Sequence, residues 1–304
     1  MSTKIEFITI VGCANAGKSS LLNALVGEKI AMVSNKPQTT RTRITGLVTE
    51  GETQYVFMDT PGVHKAKTKL GEHMNKTVKE SVTDVDLILM VVDASKRIND
   101  IDKDIINGFR RNDNVILLLN KIDIVKDKEN IAAKIAELTE LYDFNAVIPI
   151  SVLEDDGIDI VWDEIKKYVV EGPHYFPDDS LTDQPERVLA GEIIREKILN
   201  LMHDEIPHGI AVTVEQMSER VNKNDEDILD ISAVIYCERD SHKGMVIGKG
   251  GAMLKQIGKL AREDLESFFE IKVNLQCWVK VKEDWRNKEG LIRNFGLSNN
   301  STNM

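Results

Sequence analysis

Cysteine is scarce in this sequence, and long apolar runs are absent. The 304 residues include only three cysteines, Cys13, Cys237 and Cys277. Three cysteines so far apart have the spacing of neither a zinc site nor a disulfide framework, which favours a reducing compartment. No apolar run approaches the roughly 20 residues of a membrane-spanning helix, and the first residues lead into a strand pattern without a signal peptide's flanks. These absences predict a soluble protein that stays in the cytoplasm.

Basic residues are also few relative to acidic ones. The chain has 39 lysines and arginines against 50 aspartates and glutamates, a net charge of −11. This balance argues against wholesale binding to nucleic acid, although a local basic surface remains compatible with it. The 42% of hydrophobic residues is typical of a globular protein, and the length predicts two domains.

Apolar runs alternate with amphipathic stretches between residues 5 and 168. Five runs have the length of buried strands, and a turn or helix signal follows each of them. These runs are residues 7–11, 53–58, 87–92, 115–119 and 146–150. The alternation predicts a mostly parallel sheet with helices on both faces. The aperiodic stretch VEGPHYFPDDSLTDQPE, with three prolines, then predicts a linker.

The order of patterns changes beyond the linker. A helical pattern at 187–202 precedes two strand patterns, a glycine-rich stretch, a further helix and an alternating last strand at 271–281. This order predicts a small α+β domain after the larger α/β domain. The predicted boundaries are 1–170 for the first domain, 171–186 for the linker, 187–290 for the second domain and 291–304 for a C-terminal tail.

The stretch GCANAGKS, residues 12–19, has the spacing G-x-x-x-x-G-K-S between a strand pattern and a helical one. Glycines allow backbone N–H groups to surround a phosphate at a helix N-terminus. The lysine reaches the outer phosphates, and the serine hydroxyl can hold Mg²⁺. The stretch therefore predicts a P-loop that binds a nucleotide, in preference to a simple tight turn.

Two later stretches distinguish GTP from ATP. FMDTPG ends a strand with Asp59, which can reach the magnesium shell, and places the N–H of Gly62 near a terminal phosphate. LLLNKID ends another strand with Asn120, Lys121 and Asp123. A carboxylate there accepts from two adjacent N–H groups of guanine that adenine lacks. A second N-K-x-D, in NKND, lies in a polar stretch between strands and predicts only a turn.

Three reactive side chains near these motifs are not assigned to catalysis. Cys13 is interpreted as a spacer in the P-loop, where the backbone matters more than the thiol. His64 and His73 flank the second motif, and no acid or base in the sequence pattern accompanies them. Both are interpreted as solvated histidines of a loop and a helix.

The motifs GKS, DTPG and NKID, in this order, resemble those of the small GTPases of translation and ribosome assembly. Within that group, PQTTR resembles the first switch of the Era family. The resemblance implies binding of GTP or GDP and slow intrinsic hydrolysis of GTP. It extends to ISVL, where valine replaces the alanine of the usual S-A pair. The residues that it assigns to the nucleotide are Gly12, Asn15, Ala16, Gly17, Lys18, Ser19, Ser20, Asp59, Gly62, Asn120, Lys121, Asp123, Ser151, Val152 and Leu153.

The resemblance also implies a magnesium site at Ser19, Thr40 and Asp59, the last through a water molecule. A threonine in a mobile loop can close on Mg²⁺ when the γ-phosphate is present and release it afterwards, which makes residues 35–46 a switch. Val63 stands where a glutamine would orient the attacking water, so no catalytic residue is assigned. Asn15 and Thr40 are the candidates for placing a water or a cation, and the cation implied at Asn15 is K⁺.

The glycine-rich stretch MVIGKGGAMLKQIGK lacks the full spacing of a nucleotide loop. Its G-x-x-G turn precedes a helical stripe, and residues 243–262 include five basic residues and no acidic one. A glycine turn between helices, edged by lysines, can clamp a sugar-phosphate backbone. With the order helix-strand-strand-helix-helix-strand, the stretch resembles a type II KH domain. The residues that the resemblance assigns to RNA are Lys243, Gly248, Lys249, Gly250, Gly251, Lys255 and Lys259.

Taken together, the two domains resemble the Era family over nearly the whole chain. The resemblance implies a partner, 16S rRNA near its 3′ end in a 30S precursor, and a role in 30S assembly. It further implies no DNA partner, a monomer, and a cytoplasmic location with weak peripheral association at the inner face of the cell membrane.

Two other classes of function stay open. One is a regulatory GTPase whose C-terminal domain binds a protein partner. The other is an RNA-modifying enzyme that uses GTP to drive closure, although the C-terminal half has no catalytic cysteine, paired carboxylates or cofactor loop.

Overall fold

The computed structural model describes residues 3–34, 36, 39–63, 66–83, 85–110, 113–202 and 207–298. The chain divides into two compact units. The first unit consists of residues 1–33, 40–67 and 71–183, and the second of 34–39, 68–70 and 184–304. His64 lies outside the described residues. None of the described helices is long and apolar enough to cross a membrane.

The first unit is built around one twisted sheet. Its strands are β1 (Lys4–Gly12), β2 (Ile44–Glu50), β3 (Thr53–Asp59), β4 (Leu87–Asp93), β5 (Val115–Asn120), β6 (Ala146–Pro149) and β7 (Val170–Glu171). Its helices are α1 (Lys18–Val26), α2 (Lys69–Ser81), α3 (Asp100–Asn107), α4 (Lys128–Thr139) and α5 (Ile158–Ile165). The sheet order is β2-β3-β1-β4-β5-β6, with β7 beside the start of β1. Only β2 and β7 pair in the antiparallel direction.

Two apolar cores cover the two faces of this sheet. On one face, side chains such as Ile8 and Ile10 of β1 pack with Leu21 of α1 and Val161 of α5. On the other face, residues of β4 and β5 pack with α2, α3 and α4. Burial on both faces explains why β4 and β5 are apolar runs without alternation. The predicted α/β class with helices on both faces is confirmed.

The segment after β7, residues 172–183, lies along the edge of the sheet, and we call it the strap. The side chain of Gln54 is fully buried beneath it, and its amide oxygen accepts from the N–H groups of Tyr175 and Phe176 at 3.0 and 3.1 Å. The same amide donates to the carbonyl of Phe176 at 3.0 Å. Further along, the N–H of Leu47 in the edge strand β2 donates to the carbonyl of Leu181 at 2.9 Å. The strap therefore forms hydrogen bonds with the edge of the sheet that its aperiodic sequence does not predict.

The second unit is a three-stranded sheet with three helices packed on one face. Its elements are α6 (Glu186–Leu201), β8 (Ile210–Val221), β9 (Asp227–Cys237), α7 (Asp240–Ile247), α8 (Ala252–Phe269), β10 (Lys272–Val281) and α9 (Glu289–Asn294). The sheet order is β10-β9-β8, with β10 and β9 parallel and β9 and β8 antiparallel. Side chains of α6, α7 and α8 pack on the sheet in one apolar core. This is the predicted α+β order.

Strand β10 alternates between the core and solvent as its sequence predicts. Val273 is buried, and Leu275, Cys277 and Val279 are half-buried in the same core, whereas the residues between them are exposed. The last helix, α9, crosses the predicted start of the tail at residue 291, and it buries Ile292. Residues 299–304 of that tail lie outside the described residues.

One carboxyl group is buried within the first sheet. Glu6 of β1 is fully buried, and neither of its carboxyl oxygens has a hydrogen-bond partner among the described residues. The charge of Asp86 acts on Glu6, and Glu6 in turn acts on Tyr55 and Tyr168. Burial, and secondarily the negative charge of Asp86, raises the pKa of Glu6 to about 8. The folded protein therefore holds Glu6 in its neutral form at neutral pH.

We expect this carboxyl to make the first unit less stable as the pH rises. The folded state holds the proton more tightly than the unfolded chain, where the pKa is 4.5, so the free energy of unfolding falls between about pH 4.5 and 8. Glu6→Gln should raise that free energy by roughly 2–5 kcal/mol at about pH 9 and change it little at about pH 5. Urea unfolding at both pH values measures the difference. Glu52→Gln, at an exposed position in the same unit, is the control and should show no such pH dependence.

Candidate nucleotide and RNA sites

The predicted nucleotide residues gather at one edge of the first sheet. Parallel strands end at the same edge, and β1, β3, β4 and β5 end in polar residues or glycine there. These final residues are Gly12, Asp59, Asp93 and Asn120. Asp93 lies opposite Asn120 in the register of β4 and β5, and Ile10 lies opposite Asp59 in β1 and β3. The fold thus unites motifs that are separated by more than a hundred residues.

The P-loop requires glycine at two positions for lack of space. Gly12 has a φ of 152°, and a Cβ atom there would lie 2.2 Å from the carbonyl oxygen of Val91. Gly17 has a φ of 104°, and its Cβ would lie 2.1 Å from Nδ2 of Asn120. Both approaches are far shorter than van der Waals contact, so neither position accepts a side chain without movement. The loop is therefore packed directly against the ends of β4 and β5.

The P-loop lysine lies inside the loop that precedes it. Lys18 begins α1 and is buried, and its ammonium donates to the carbonyls of Gly12 and Cys13 at 3.1 and 3.0 Å. Burial lowers the pKa of Lys18, and the carboxylate of Asp59 opposes that shift. Ser20 lies three residues after Gly17, in the first turn of α1. A helix N-terminus that begins with a lysine carries positive charge, from the helix dipole and the ammonium group, that can hold phosphate groups.

The surroundings of Cys13 do not favour a reactive thiol. Its thiol lies 3.0 Å from Oδ1 of Asp102 in α3. Burial, aided by that carboxylate, raises the pKa of Cys13 to about 12. A thiol that stays protonated is a poor nucleophile, which agrees with its interpretation as a spacer.

The three predicted magnesium ligands meet at one point. The hydroxyl of Ser19 donates to Oδ2 of Asp59 at 2.6 Å, and the hydroxyls of Ser19 and Thr40 lie 2.8 Å apart. Thr40 also donates to the same carboxylate oxygen at 3.3 Å. The other oxygen of Asp59, Oδ1, is buried without a hydrogen-bond partner among the described residues. Two hydroxyls and a carboxylate with an unused oxygen fit the oxygen ligands that Mg²⁺ prefers.

The DTPG stretch packs against the P-loop. A Cβ atom at Gly62 would lie 2.6 Å from Cα of Ala14, so the two backbones are in direct contact. The next residue, Val63, forms a parallel bridge with Cys13. The backbone at this point is therefore held by the P-loop, whereas the apolar side chain of Val63 offers no hydrogen bond to a water molecule. His73 lies on α2 and is half-buried.

Asn120 and Lys121 fasten the P-loop to the end of β5. The amide of Asn120 donates to the carbonyl of Ala16 at 2.9 Å. Lys121 has a left-handed φ of 70°, and its ammonium donates to the carbonyl of Asn15 at 2.7 Å and to Asp93 at 2.9 Å. Asn15 itself has a φ of 64°. These bonds hold the P-loop backbone at Asn15 and Ala16 against the end of β5.

Asp93 is a member of this site that no sequence motif identified. Burial by itself would raise the pKa of Asp93, but hydrogen bonds from Lys121 and Ser95 and the nearby lysine charges hold it at about 2. The carboxylate is therefore charged and fixes the position of Lys121. The available signal was its place at the carboxyl end of a buried strand, which it shares with Asp59 and Asn120.

The residues that are predicted to contact the base are also connected by hydrogen bonds. Ser151 donates to Oδ1 of Asp123 at 2.7 Å, which leaves the second carboxylate oxygen for another donor. The backbone N–H of Val152 donates to the side-chain oxygen of Asn120 at 3.1 Å. Leu153 is 82% exposed. The assignments of Val152 and Leu153 to the nucleotide stay predictions.

In the second unit, the G-x-x-G stretch forms a bare turn between α7 and α8. Gly248, Gly250 and Gly251 have φ values of 72°, 60° and 81°, which favour glycine. A Cβ at Gly248 would lie 2.7 Å from Met253, whereas nothing lies within 4 Å of the Cβ positions of Gly250 and Gly251. Lys249 between them is exposed. A phosphate can therefore approach this backbone closely.

A groove of about 790 Å³ runs from this turn between α8 and β10. Three predicted RNA residues line it, Gly251, Lys255 and Lys259, and Arg262 adds a third positive charge. The opposite wall is β10, the edge strand of the sheet, at Asn274 and Cys277. Lys243 lies on α7, outside the residues that line the groove, and its assignment stays a prediction. The sequence pattern identified the basic wall and missed the strand wall.

We expect Gly17→Ala to lower nucleotide affinity about a hundredfold, since the added Cβ must displace Asn120 and break its bond to Ala16. Equilibrium binding of a fluorescent GTP analogue measures the loss. The control is Gly27→Ala at the other end of α1, where φ is 81° and nothing lies within 4 Å of the Cβ position. That variant should lose about 1 kcal/mol of stability and keep its affinity. Equal affinities in the two variants would contradict the packing argument.

Two family models match the chain in the regions just described. The model of the 50S ribosome-binding GTPases matches residues 7–121, and that of the KH domain matches residues 205–286. The GTPase Era of Clostridioides difficile strain 630 is 51% identical over 300 residues, which cover 97% of this chain and 99% of that protein. The GTPase Era of Ruminiclostridium cellulolyticum is 46% identical, with 99% of each chain covered.

Solved structures of similar chains agree with these matches. A crystal structure of Era in complex with MgGDPNP and nucleotides 1506–1542 of 16S ribosomal RNA superposes with a TM-score of 0.92 at 37% identity, over 97% of this chain and 99% of the other. A variant of Aquifex aeolicus Era bound to GDP and AlF4− also gives 0.92, at 38% identity over 97% and 100%. Identity of this extent over both units means that the chain belongs to the Era family of GTPases.

Proposed function

We propose that this protein is a GTP-hydrolysing switch that binds 16S rRNA near its 3′ end and acts in assembly of the 30S ribosomal subunit. The observation that carries the proposal is the convergence of Ser19, Thr40 and Asp59. It joins the P-loop, the first switch and the end of β3 at one point, as a nucleotide-dependent switch requires. The Era structure with a GTP analogue, Mg²⁺ and a 16S rRNA fragment supports both halves of the proposal.

The residues of the first unit divide the work on the nucleotide. The backbone N–H groups of the P-loop and the ammonium of Lys18 hold the phosphates, and Asp123 selects guanine. Ser19 and Thr40, with Asp59 through a water molecule, would hold Mg²⁺, which would neutralise charge on the phosphate oxygens. Because Thr40 belongs to the first switch, loss of the γ-phosphate is expected to release that loop from the magnesium site.

Catalysis relies on positions other than the one after DTPG. The side chain of Val63 cannot orient water, so the intrinsic rate is slow. The backbone of residues 62 and 63 is held against the P-loop. A K⁺ ion held by Asn15 would add positive charge beside the phosphates during hydrolysis.

We expect GTP hydrolysis to be several-fold faster in KCl than in NaCl at equal ionic strength, because Asn15 supplies an oxygen ligand to the larger ion. Asn15→Ala should abolish the difference between the two salts. Asn15→Asp keeps a side-chain oxygen and a residue type that tolerates the left-handed φ of 64°, so it should keep the K⁺ preference. Single-turnover phosphate release measures all three. Equal rates of the unchanged protein in the two salts would remove K⁺ from the proposal.

The second unit supplies the RNA site. The bare turn at residues 248–251 admits the sugar-phosphate backbone, and Lys255 and Lys259 on the groove wall hold its charge. The groove leaves the edge of β10 available for unpaired bases. An acidic protein can bind RNA in this way because three of its cationic residues lie together on one wall of the groove.

We expect Lys249→Asp combined with Gly250→Asp to lower the affinity for the 16S rRNA 3′ fragment at least tenfold, since three units of charge change where phosphate approaches. GTP affinity should stay unchanged. The control is Lys223→Asp with Asn224→Asp, which makes the same charge change at an exposed turn of the same unit. Fluorescence anisotropy with the labelled RNA measures the loss.

If the RNA affinity of Lys249→Asp with Gly250→Asp equalled that of the control, the RNA site would not be this turn. That outcome would favour the alternative, a regulatory GTPase whose second unit binds a protein. The proposal also includes a monomer that acts in the cytoplasm, associates weakly with the inner face of the membrane and does not bind DNA.

A further inference from the structure

A basic cavity lies in the first unit apart from the residues assigned to the nucleotide. Its volume is about 600 Å³, and its walls are the loop after β4, the segment 124–126 and the outer face of α4. Four of the side chains that line it are cationic and one, Glu137, is acidic. The cationic residues are Lys96, Arg97, Lys126 and Lys134. In a chain with a net charge of −11, this is a local reversal of sign.

The cavity wall is held in shape by one of these cations. Lys134 on α4 donates to the carbonyl of Ala94 at 2.6 Å and also to the carbonyl of Lys96. Burial lowers the pKa of Lys134, against the opposing effect of the carboxylates of Asp93, Asp102 and Glu137. The loop after β4 is thus tied to α4 at two backbone positions. The cavity is a built feature and not a chance gap between mobile side chains.

The other cations differ in how they are paired. Lys96 forms an ion pair with Asp93 at 3.2 Å. Arg97 and Lys126 are exposed, and neither forms an ion pair within the part of the chain that the structure describes. Glu137 lies 4.0 Å from Lys103, so its charge is shared with a cation outside the cavity. Two exposed cations at one cavity are therefore available to an anion.

We propose that this cavity binds phosphate groups of the RNA backbone, with Arg97 and Lys126 as its principal contacts. A guanidinium and an ammonium that line the same cavity offer the two kinds of cationic group with which proteins hold phosphate, and Asn130 on the cavity wall adds an amide donor. The inference rests on the proposed function, because it assumes that the protein meets RNA. It adds a second RNA contact, in the nucleotide-binding unit, to the one at the glycine turn.

The position of the cavity gives this contact a consequence for the nucleotide. Asp93 pairs with Lys96 of the cavity wall and also with Lys121, which holds the P-loop carbonyl of Asn15. A phosphate in the cavity competes with Asp93 for Lys96, which leaves Asp93 more strongly paired with Lys121. RNA in the cavity therefore acts on the guanine side of the nucleotide site through a single carboxylate.

The test compares Arg97→Ala with Lys126→Ala against a matched pair, Lys4→Ala with Lys79→Ala. The matched residues are exposed cations of the same unit with no ion pair within the described part of the chain. Binding of full-length 16S rRNA is measured over a range of salt concentrations in the presence of a non-hydrolysable GTP analogue. The cavity variant should bind about tenfold more weakly and lose roughly 1.5 from the slope of log affinity against log salt, since two phosphate contacts disappear. The matched variant should keep both values.

Cross-linking locates the contact directly. A photoreactive benzoylphenylalanine at Ala133, which lines the cavity, should cross-link 16S rRNA, and the same probe at Lys79 should not. A cross-link that persists in the Lys249→Asp, Gly250→Asp background at raised protein concentration supports an independent contact. No cross-link at Ala133 while the unchanged protein binds RNA would overturn the inference.

The possible failures are distinguishable. If the unchanged protein does not bind 16S rRNA at all, the proposed function fails. If it binds but the cavity variant keeps the affinity and salt slope of the matched pair, only the present inference fails. Calorimetry with inorganic tripolyphosphate on the GDP-saturated protein tests whether the cavity binds a free polyphosphate instead of RNA. Binding that depends on Arg97 and Lys126, without an effect on RNA, would replace RNA with a free polyphosphate.

Discussion

The side-chain amide of Asn120 is the interaction on which the nucleotide site depends. It donates to the P-loop at Ala16 and accepts from the N–H of Val152, so one residue at the end of β5 joins three loops. Its nitrogen also occupies the space that a side chain at Gly17 would need. The loop can approach so closely only because residue 17 is glycine, and the amide can reach it only because β5 ends where β1 does. The P-loop, the end of β5 and the turn at Val152 are thus joined through one side chain.

The sequence predicted the parts of this fold that local patterns determine. The parallel strands are apolar runs that end at polar motif residues. The lengths of these runs, and the turn or helix signals that follow them, were enough to predict them. Strand β2 was not predicted, because its pairing with β3 depends on a partner and not on its own pattern. The strap was interpreted as a linker for the same reason. Its hydrogen bonds come from Gln54, more than a hundred residues away.

The site residues also differ in whether a local sequence pattern could identify them. Ser19, Thr40 and Asp59 were identified by motif, and the structure brings them within hydrogen-bonding distance. Asp93 had no motif, since its role is to hold Lys121 and not to touch a ligand. In the second unit, the basic wall of the groove was visible as charge on a helix, whereas the wall at β10 required knowledge of which strand lies at the sheet edge. Residues that act through another residue are invisible to a linear pattern.

The strap has a consequence for solubility that its hydrogen bonds do not suggest at first sight. Strand β2 is the outermost strand of the sheet, and an outermost strand offers unpaired backbone groups to any passing chain. The carbonyl of Leu181 meets the N–H of Leu47, and Thr182 forms a bridge with Gly46, so this margin is occupied from within. Because the prolines at 173 and 177 cannot donate to a ladder, the covering segment is itself a poor template for further strands. The strap therefore protects the edge of the sheet against edge-to-edge aggregation.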